Sequence, residues 1–233
     1  IYWTSAADGG SILRANLDAS NPEPVVTGAG PNLMALALDS DRRKVYWITR
    51  DVEQMEGRIR RAGFEDPTTE DIVQDLVEPQ GIALDESQQV LYWSDSGTGK
   101  IQRSDLNGGN VQDVMPQAGH PFGIAYSVRE NMLYWVDPFM GTLSKARTDG
   151  SNVYVVRSGL LGPLYVDVWI PPTSDTGDTE HRQGLAITPN PFTAQTSIAY
   201  ALTPGDGSAH LAVYDVRGRM VTILENPSPR QHG

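Results

Sequence analysis

Leu91-Tyr92-Trp93-Ser94-Asp95-Ser96-Gly97-Thr98-Gly99-Lys100-Ile101-Gln102-Arg103 is the stretch on which the architecture turns. An aromatic pair sits in a β-prone run, a Ser/Gly/Thr turn follows, and a second alternating run ends on a basic residue. That order predicts a two-stranded hairpin. The same order recurs on both sides. Tyr2-Trp3, Tyr46-Trp47, Tyr92-Trp93 and Tyr134-Trp135 succeed one another at steps of 44, 46 and 42 residues. After each comes Gly-x-(Ile/Leu)-x-(Arg/Lys), ending at Arg14, Arg61, Arg103 and Lys145.

The rest of each period repeats as well. Turn-like sequence follows the basic residue, and then a β-branched stretch: Val25-Val26, Ile72-Val73, Val111 to Val114 and Val153 to Val156. A strand of small apolar residues leads into the next aromatic pair, at Ala35 to Asp39, Gly81 to Asp85 and Gly123 to Ser127. Alternation of period two, broken by Gly, Asp, Asn and Pro, excludes a helical solenoid. Four short strands in about 40–45 residues predict one blade of a β-propeller per period. The fold class expected is therefore all-β.

Tyr-Trp-(Thr/Ser/Val)-(Ser/Asp) followed by Gly-x-Ile-x-Arg resembles the YWTD, or class B, repeat of low-density-lipoprotein receptors, with Leu91 to Asp95 the nearest copy. Copy two departs from the pattern, with Ile48-Thr49 in place of Thr-Asp and a longer loop expected from Arg50 to Glu56. The resemblance covers residues 1–170. It implies a six-bladed propeller that binds protein ligands and, as a class, does not catalyse. Four copies are present, so we expect an N-terminally truncated ring with one or two blades upstream. A leading strand at Pro163 to Asp167 has no Tyr-Trp after it, and is expected to pair beside Tyr2-Trp3 and seal the ring. The chain opens on Ile1 in strand-like sequence and stops at Gly233, and we read both ends as cut from a longer protein.

Residues 171–184 are polar and turn-rich and predict a linker. A different β pattern occupies 185–233. Thr196 to Leu202, His210 to Val216 and Met220 to Leu224 alternate as strands of a small β-sandwich. Pro189, Asn190, Pro191 and Phe192, with Tyr214, Asp215, Gly218 and Arg219, resemble the C-terminal sorting domain of type IX secretion substrates, an Ig-like fold similar to that of flagellar hook-capping proteins. The resemblance implies a bacterial protein exported to the outer-membrane surface or beyond by the type IX machinery, with this domain C-terminally truncated here.

Composition narrows the chemistry. The absence of cysteine excludes disulfides, zinc–thiolate sites and thiol nucleophiles. A net charge of −11 argues against nucleic acid and anionic membranes as partners. No apolar run approaches the roughly 20 residues of a membrane span. The histidines at 120, 181, 210 and 232 show no metal-ligand spacing, and no metal or other cofactor is expected. Gly97-Thr98-Gly99-Lys100 lacks the spacing of a phosphate-binding loop. No catalytic constellation is visible. The alternative weighed is a calcium-dependent propeller hydrolase or lactonase, whose acidic ligands would converge on the axis. A structural spacer is a third.

Within the repeat, Tyr2, Trp3, Tyr46, Trp47, Tyr92, Trp93, Tyr134 and Trp135 are expected to fill the space between sheets. Asp95 and Asp137 are expected to accept backbone hydrogen bonds at turns. In a propeller, loops before leading strands and loops after Tyr-Trp share one face. That face is expected to carry Asn32, Glu78, Gln80, His120 and Phe122 from the first group. Arg50, Asp51, Glu53, Phe139 and Met140 come from the second. It is the candidate surface for a protein or glycan ligand.

Overall fold

The computed structural model describes residues 1–6, 9–16, 19–53, 56–169, 210–214 and 220–225, with backbone alone for Trp169 and the last two segments. All regular structure among them is β. The first sheet holds β1 (Tyr2–Ser5), β2 (Ser11–Arg14) and β3 (Glu23–Thr27). The second holds β4 (Leu33–Asp39), β5 (Lys44–Asp51), β6 (Glu56–Gly63) and β7 (Glu70–Leu76). The third holds β8 (Pro79–Asp85), β9 (Val90–Asp95), β10 (Lys100–Asp105) and β11 (Gln112–Met115). The fourth holds β12 (Ile124–Ser127), β13 (Met132–Asp137), β14 (Thr142–Arg147) and β15 (Tyr154–Arg157). The fifth joins β16 (Tyr165–Trp169) to β17 (His210–Tyr214) and β18 (Met220–Glu225). Every pairing is antiparallel between chain neighbours, so each sheet is a meander. The leading strands β4, β8, β12 and β16 succeed one another in contact. This is propeller-type architecture, with one sheet per sequence period.

The Tyr-Trp dipeptide owes its recurrence to the two faces of a strand. Adjacent residues point to opposite sides. Trp47 packs back against Ile12 and Val26 of the first sheet, while Tyr46 packs forward with Leu91 of the third. Trp93 faces Ile59 and Val73 of the second sheet, and Tyr92 faces Leu133 of the fourth. Trp135 faces Ile101 of the third, and Tyr134 shares a cluster with Val166 of the fifth. One dipeptide therefore fills both inter-sheet layers, and the core is a series of layers rather than one central mass. Trp3 and Tyr2 are half-buried, and the Tyr2 ring lies 5.2 Å from Phe64.

Turn chemistry closes the hairpins. The last residue of the leading strands β4, β8 and β12 accepts from the backbone three residues on: Asp39 from Arg42 N (2.9 Å), Asp85 from Gln88 N (3.0 Å) and Ser127 from Glu130 N (3.3 Å). A register shift recurs in the strand after the Tyr-Trp strand of four sheets, at Ile12/Leu13, Ile59/Arg60, Ile101/Gln102 and Leu143/Ser144. Such bulges add twist.

Two expectations need correction. β16 does not pair beside β1; it pairs β17, with Tyr165 opposite Tyr214 and Trp169 opposite His210. A strand supplied later in the chain takes the edge that the Tyr2-Trp3 strand was expected to fill. The loop of copy two is also shorter than expected. β5 and β6 stay paired as far as Asp51 opposite Glu56, because Thr49 lacks the carboxylate that ends the matching strands at Asp95 and Asp137. Of the segment 185–233, the described strands are β17 and β18, which contain Tyr214. Pro189, Asn190, Pro191, Phe192, Asp215, Gly218 and Arg219 lie outside the described residues, as does the linker 171–184.

Candidate binding face

Two carboxylates organise the loops at one end of the sheets. Asp95, at the end of β9, accepts from Val77 N (3.0 Å), Glu78 N (3.1 Å) and Thr98 N (3.0 Å). Asp137, at the end of β13, accepts from His120 N, Phe139 N and Met140 N, each at 2.9 Å. Each buried carboxylate thus ties the loop before its leading strand to the loop after its Tyr-Trp. That is the structural role expected of both. With three N–H groups apiece, they are committed to the backbone. Among the described residues no group of three or more His, Cys, Asp or Glu is placed to hold a metal ion.

The ten candidate residues fall into two groups. In the first, Asn32 Nδ2 donates to Arg50 O (3.0 Å), and Arg50 Nη2 reaches Glu78 Oε1 (2.6 Å). Ser96 Oγ donates to Glu78 Oε2 (3.2 Å) and accepts from Gln80 Nε2 (3.2 Å). The chain Asn32–Arg50–Glu78–Ser96–Gln80 runs from the second sheet to the third. Arg50 and Asp51 belong to the end of β5 rather than to a loop, and Gln80 is a buried residue of β8, where a loop was expected. Glu53 stands on the tip beyond Asp51, whose Oδ1 accepts Glu53 N at 3.0 Å. Arg50, Glu78, Ser96 and Gln80 bond side chain to side chain and Asn32 holds the Arg50 carbonyl, so the group is a brace between blades.

The second group is apolar. The His120 and Phe139 rings lie 4.8 Å apart, and Phe122 meets Phe139 edge-on at 6.4 Å. Phe122 is half-buried and His120 exposed. Phe139 and Met140 are 72% and 71% exposed although the turn beneath them is pinned by Asp137. Leu161, which sequence reasoning passed over, stands on the loop between β15 and β16. It is 88% exposed, and Leu160 N donates to Gly141 O (2.9 Å), bringing that loop against the Phe139 turn. The available signal was Gly159-Leu160-Leu161-Gly162: both glycines have positive φ, and two leucines between them cannot both turn inward. Ser96 was passed over too; its neighbours gave no sign that it would bridge Glu78 and Gln80.

The repeated basic residues are strand-face charges. Arg14, Arg61, Arg103 and Lys145 stand directly across from Tyr2, Tyr46, Tyr92 and Tyr134. Arg61 Nη1 also reaches Leu106 O and Asn107 Oδ1 in the next sheet, both at 2.7 Å, which clamps one blade to the following one.

The architecture, with one antiparallel sheet per repeat of the dipeptide and the leading strands in succession, defines an all-β fold of propeller type. Residues 89–125 match the family described as low-density lipoprotein receptor repeat class B. The vitellogenin receptor Yl of Drosophila melanogaster is 32% identical over 100 residues, a stretch covering 42% of this chain and 5% of that receptor. Among solved structures, a chain of the nidogen/laminin complex superposes with TM-score 0.59 at 15% identity, over 96% of this chain and 92% of that one. A putative TolB from Agrobacterium tumefaciens gives TM-score 0.58 at 16% identity, over 94% and 75%. TolB from Acinetobacter baumannii gives 0.56 at 14% identity, over 96% and 61%. At these identities the structural likeness speaks for the fold.

Proposed function

We propose that this protein is a non-catalytic binding protein of the extracellular space or cell surface, and that the patch of Phe139, Met140, Leu161, His120 and Phe122 takes a protein ligand. The observation that carries the proposal is the exposure of Phe139 and Met140 on a turn whose backbone is held by Asp137. A rigid turn that holds two large apolar side chains in water keeps a standing hydrophobic cost, which contact with a partner removes. Aromatic residues and methionine are also the types enriched at the centres of protein interfaces. The flexible alkyl groups of Met140 and Leu161 fit protein side chains better than the hydroxylated faces of a glycan. No helix among the described residues is long and apolar enough to cross a membrane. Export through a type IX sorting domain, and with it a bacterial source, rests on the resemblance of Pro189 to Phe192 and Tyr214 to Arg219. Calcium-dependent hydrolysis is the weaker reading, because Asp95 and Asp137 are already committed to backbone N–H groups.

The test is parallel capture by immobilised wild-type, Phe139→Ala and His120→Ala chains, from a secreted-protein fraction and on a glycan array. A protein that wild type retains and Phe139→Ala loses by about tenfold, with an unchanged melting temperature, supports the proposal. Equal capture by all three removes this face from consideration, and binding confined to the array replaces the protein ligand with a glycan.

A further inference from the structure

The outer strands of the blades differ in how they protect their free edges. In the first sheet β3 carries Glu23, paired with Arg14 (2.7 Å), and Pro24, which has no N–H to offer. In the second, Glu70 pairs with Arg61 (2.6 Å), and Asp71 is held by Arg60 (2.6 Å) and Arg58 (3.1 Å). In the third, Gln112 meets Arg103 (2.8 Å), and Asp113 meets Lys100 and Gln102 (2.8 Å each). Charged side chains and proline are what keep an exposed strand from pairing with other chains.

The fourth blade breaks this rule at both positions. Where the register places Glu70 and Asp71 in β7, β15 has Tyr154 opposite Lys145 and Val155 opposite Ser144. Lys145, left without its outer carboxylate, turns inward to Glu130 (3.4 Å) and the Tyr134 ring (5.3 Å). Val153, Tyr154 and Val155 are left 50%, 55% and 63% exposed. β15 is the last strand of its sheet. Two exposed arginines bracket the run. Arg147, whose N–H bonds Ser151 O (2.9 Å), stands at its entry, and Arg157 ends it and makes no ion pair among the described residues.

We infer that the free edge of β15 is a strand-addition site for an extended peptide segment, rich in β-branched residues and carrying carboxylates that meet Arg147 and Arg157. Charge complementarity and area both select this occupant over a second copy. A second copy would bring its own Arg147 and Arg157 to this edge, like charge against like. Two edges of 4 residues bury far less than the roughly 800 Å² per partner of a stable dimer. An extended peptide gains its affinity from main-chain hydrogen bonds along the edge and needs no such area.

The probe is a fluorescein-labelled synthetic peptide of about eight residues, alternating valine and threonine with a glutamate near each end. It is titrated into the full chain by fluorescence anisotropy, with backbone hydrogen exchange read over residues 153–157. The expected result is saturable binding with slowed exchange in that segment. Tyr154→Glu/Val155→Asp, which writes the Glu70-Asp71 pair of the second blade into the fourth, should weaken binding by about tenfold or more. Val155→Lys alone, a milder change, should weaken it in the same direction. A peptide N-methylated at alternate positions should not bind, because it cannot complete the ladder. No saturation by the parent peptide, equal binding of the N-methylated peptide, or undiminished binding by both variants overturns the inference. So does concentration-dependent dimerisation in sedimentation velocity that the double variant abolishes, since the edge would then belong to a second copy.

Discussion

Trp47 and Trp93 occupy the same place in successive repeats and are equally buried, but their indole N–H groups meet different fates. Trp47 Nε1 donates to Ala29 O (3.0 Å), a carbonyl that Arg60 Nη1 also reaches (2.9 Å). Among the described residues Trp93 Nε1 is buried without a hydrogen-bond partner. Replacing either by Phe removes similar volume. Trp47→Phe also removes a made hydrogen bond, whereas Trp93→Phe removes an unmade one. Trp47→Phe should therefore be the more destabilising by about 1 kcal/mol. Urea denaturation of the two variants checks this, and equal midpoints would show that the bond to Ala29 contributes nothing net. The same scale explains Asp137. Its three N–H bonds place Phe139 and Met140 outside, so the exposed patch follows from one buried carboxylate.

At the level of elements, the spacing of leading strands explains the small residue at the head of each. A methyl group on Gly81 would lie 2.7 Å from Phe122 O and 2.8 Å from Ile124 N, and one on Gly123 would lie 2.6 Å from Leu164 O. These are backbone atoms at or just before the start of the next leading strand, which cannot swing aside as a side chain would. Gly123 N donates to Leu164 O (2.8 Å), a direct bond between neighbouring sheets. Gly81→Ala should push the third and fourth sheets apart, at a cost of about 1–3 kcal/mol. A lowered thermal midpoint is the expected reading. Wild-type stability in Gly81→Ala would mean that the inter-sheet spacing is not set by this contact.

The whole molecule should respond to acid through its outer faces. Glu65 is held below its ordinary range by the hydrogen bond from Arg14, Asp113 by the one from Lys100, Asp105 by the backbone N–H of Asn107, and Asp149 by Ser151. A carboxylate depressed by folding contributes stability above its unfolded value and loses it as pH falls through the folded one. Glu86 has the opposite sign, since burial raises it. The depressed group is the larger, so stability should be flat near neutrality and fall below about pH 4. Glu86→Gln should raise the midpoint near pH 7 more than at pH 4. Thermal melts from neutral to acid pH read both effects. A midpoint that rises on acidification would contradict the first, and no difference between the two pH values the second.

Much of this architecture was legible in the chain itself. The Tyr-Trp period, the Gly-x-Ile-x-Arg run and the alternation of small apolar strands determined that the fold is all-β, with one sheet per period. Each unit repeats the same local physics of strand, turn and strand. The turn role of Asp95 and Asp137 could also be read, because a carboxylate beside Gly- and Ser-rich turns has backbone N–H groups within reach. What only the tertiary structure decided depends on neighbours distant in sequence. In the chain Asn32, Arg50, Glu78, Ser96 and Gln80, the bond from Arg50 to Glu78 crosses from one sheet to the next, and local sequence does not encode which charge another blade presents. The placement of Leu161 depends on its neighbour Leu160, whose N–H is held by Gly141 O of another turn. The pairing of β16 with β17, rather than β1, depends on competition for one sheet edge between strands far apart in the chain. Local propensity sees the strand; the partner is chosen by three-dimensional proximity.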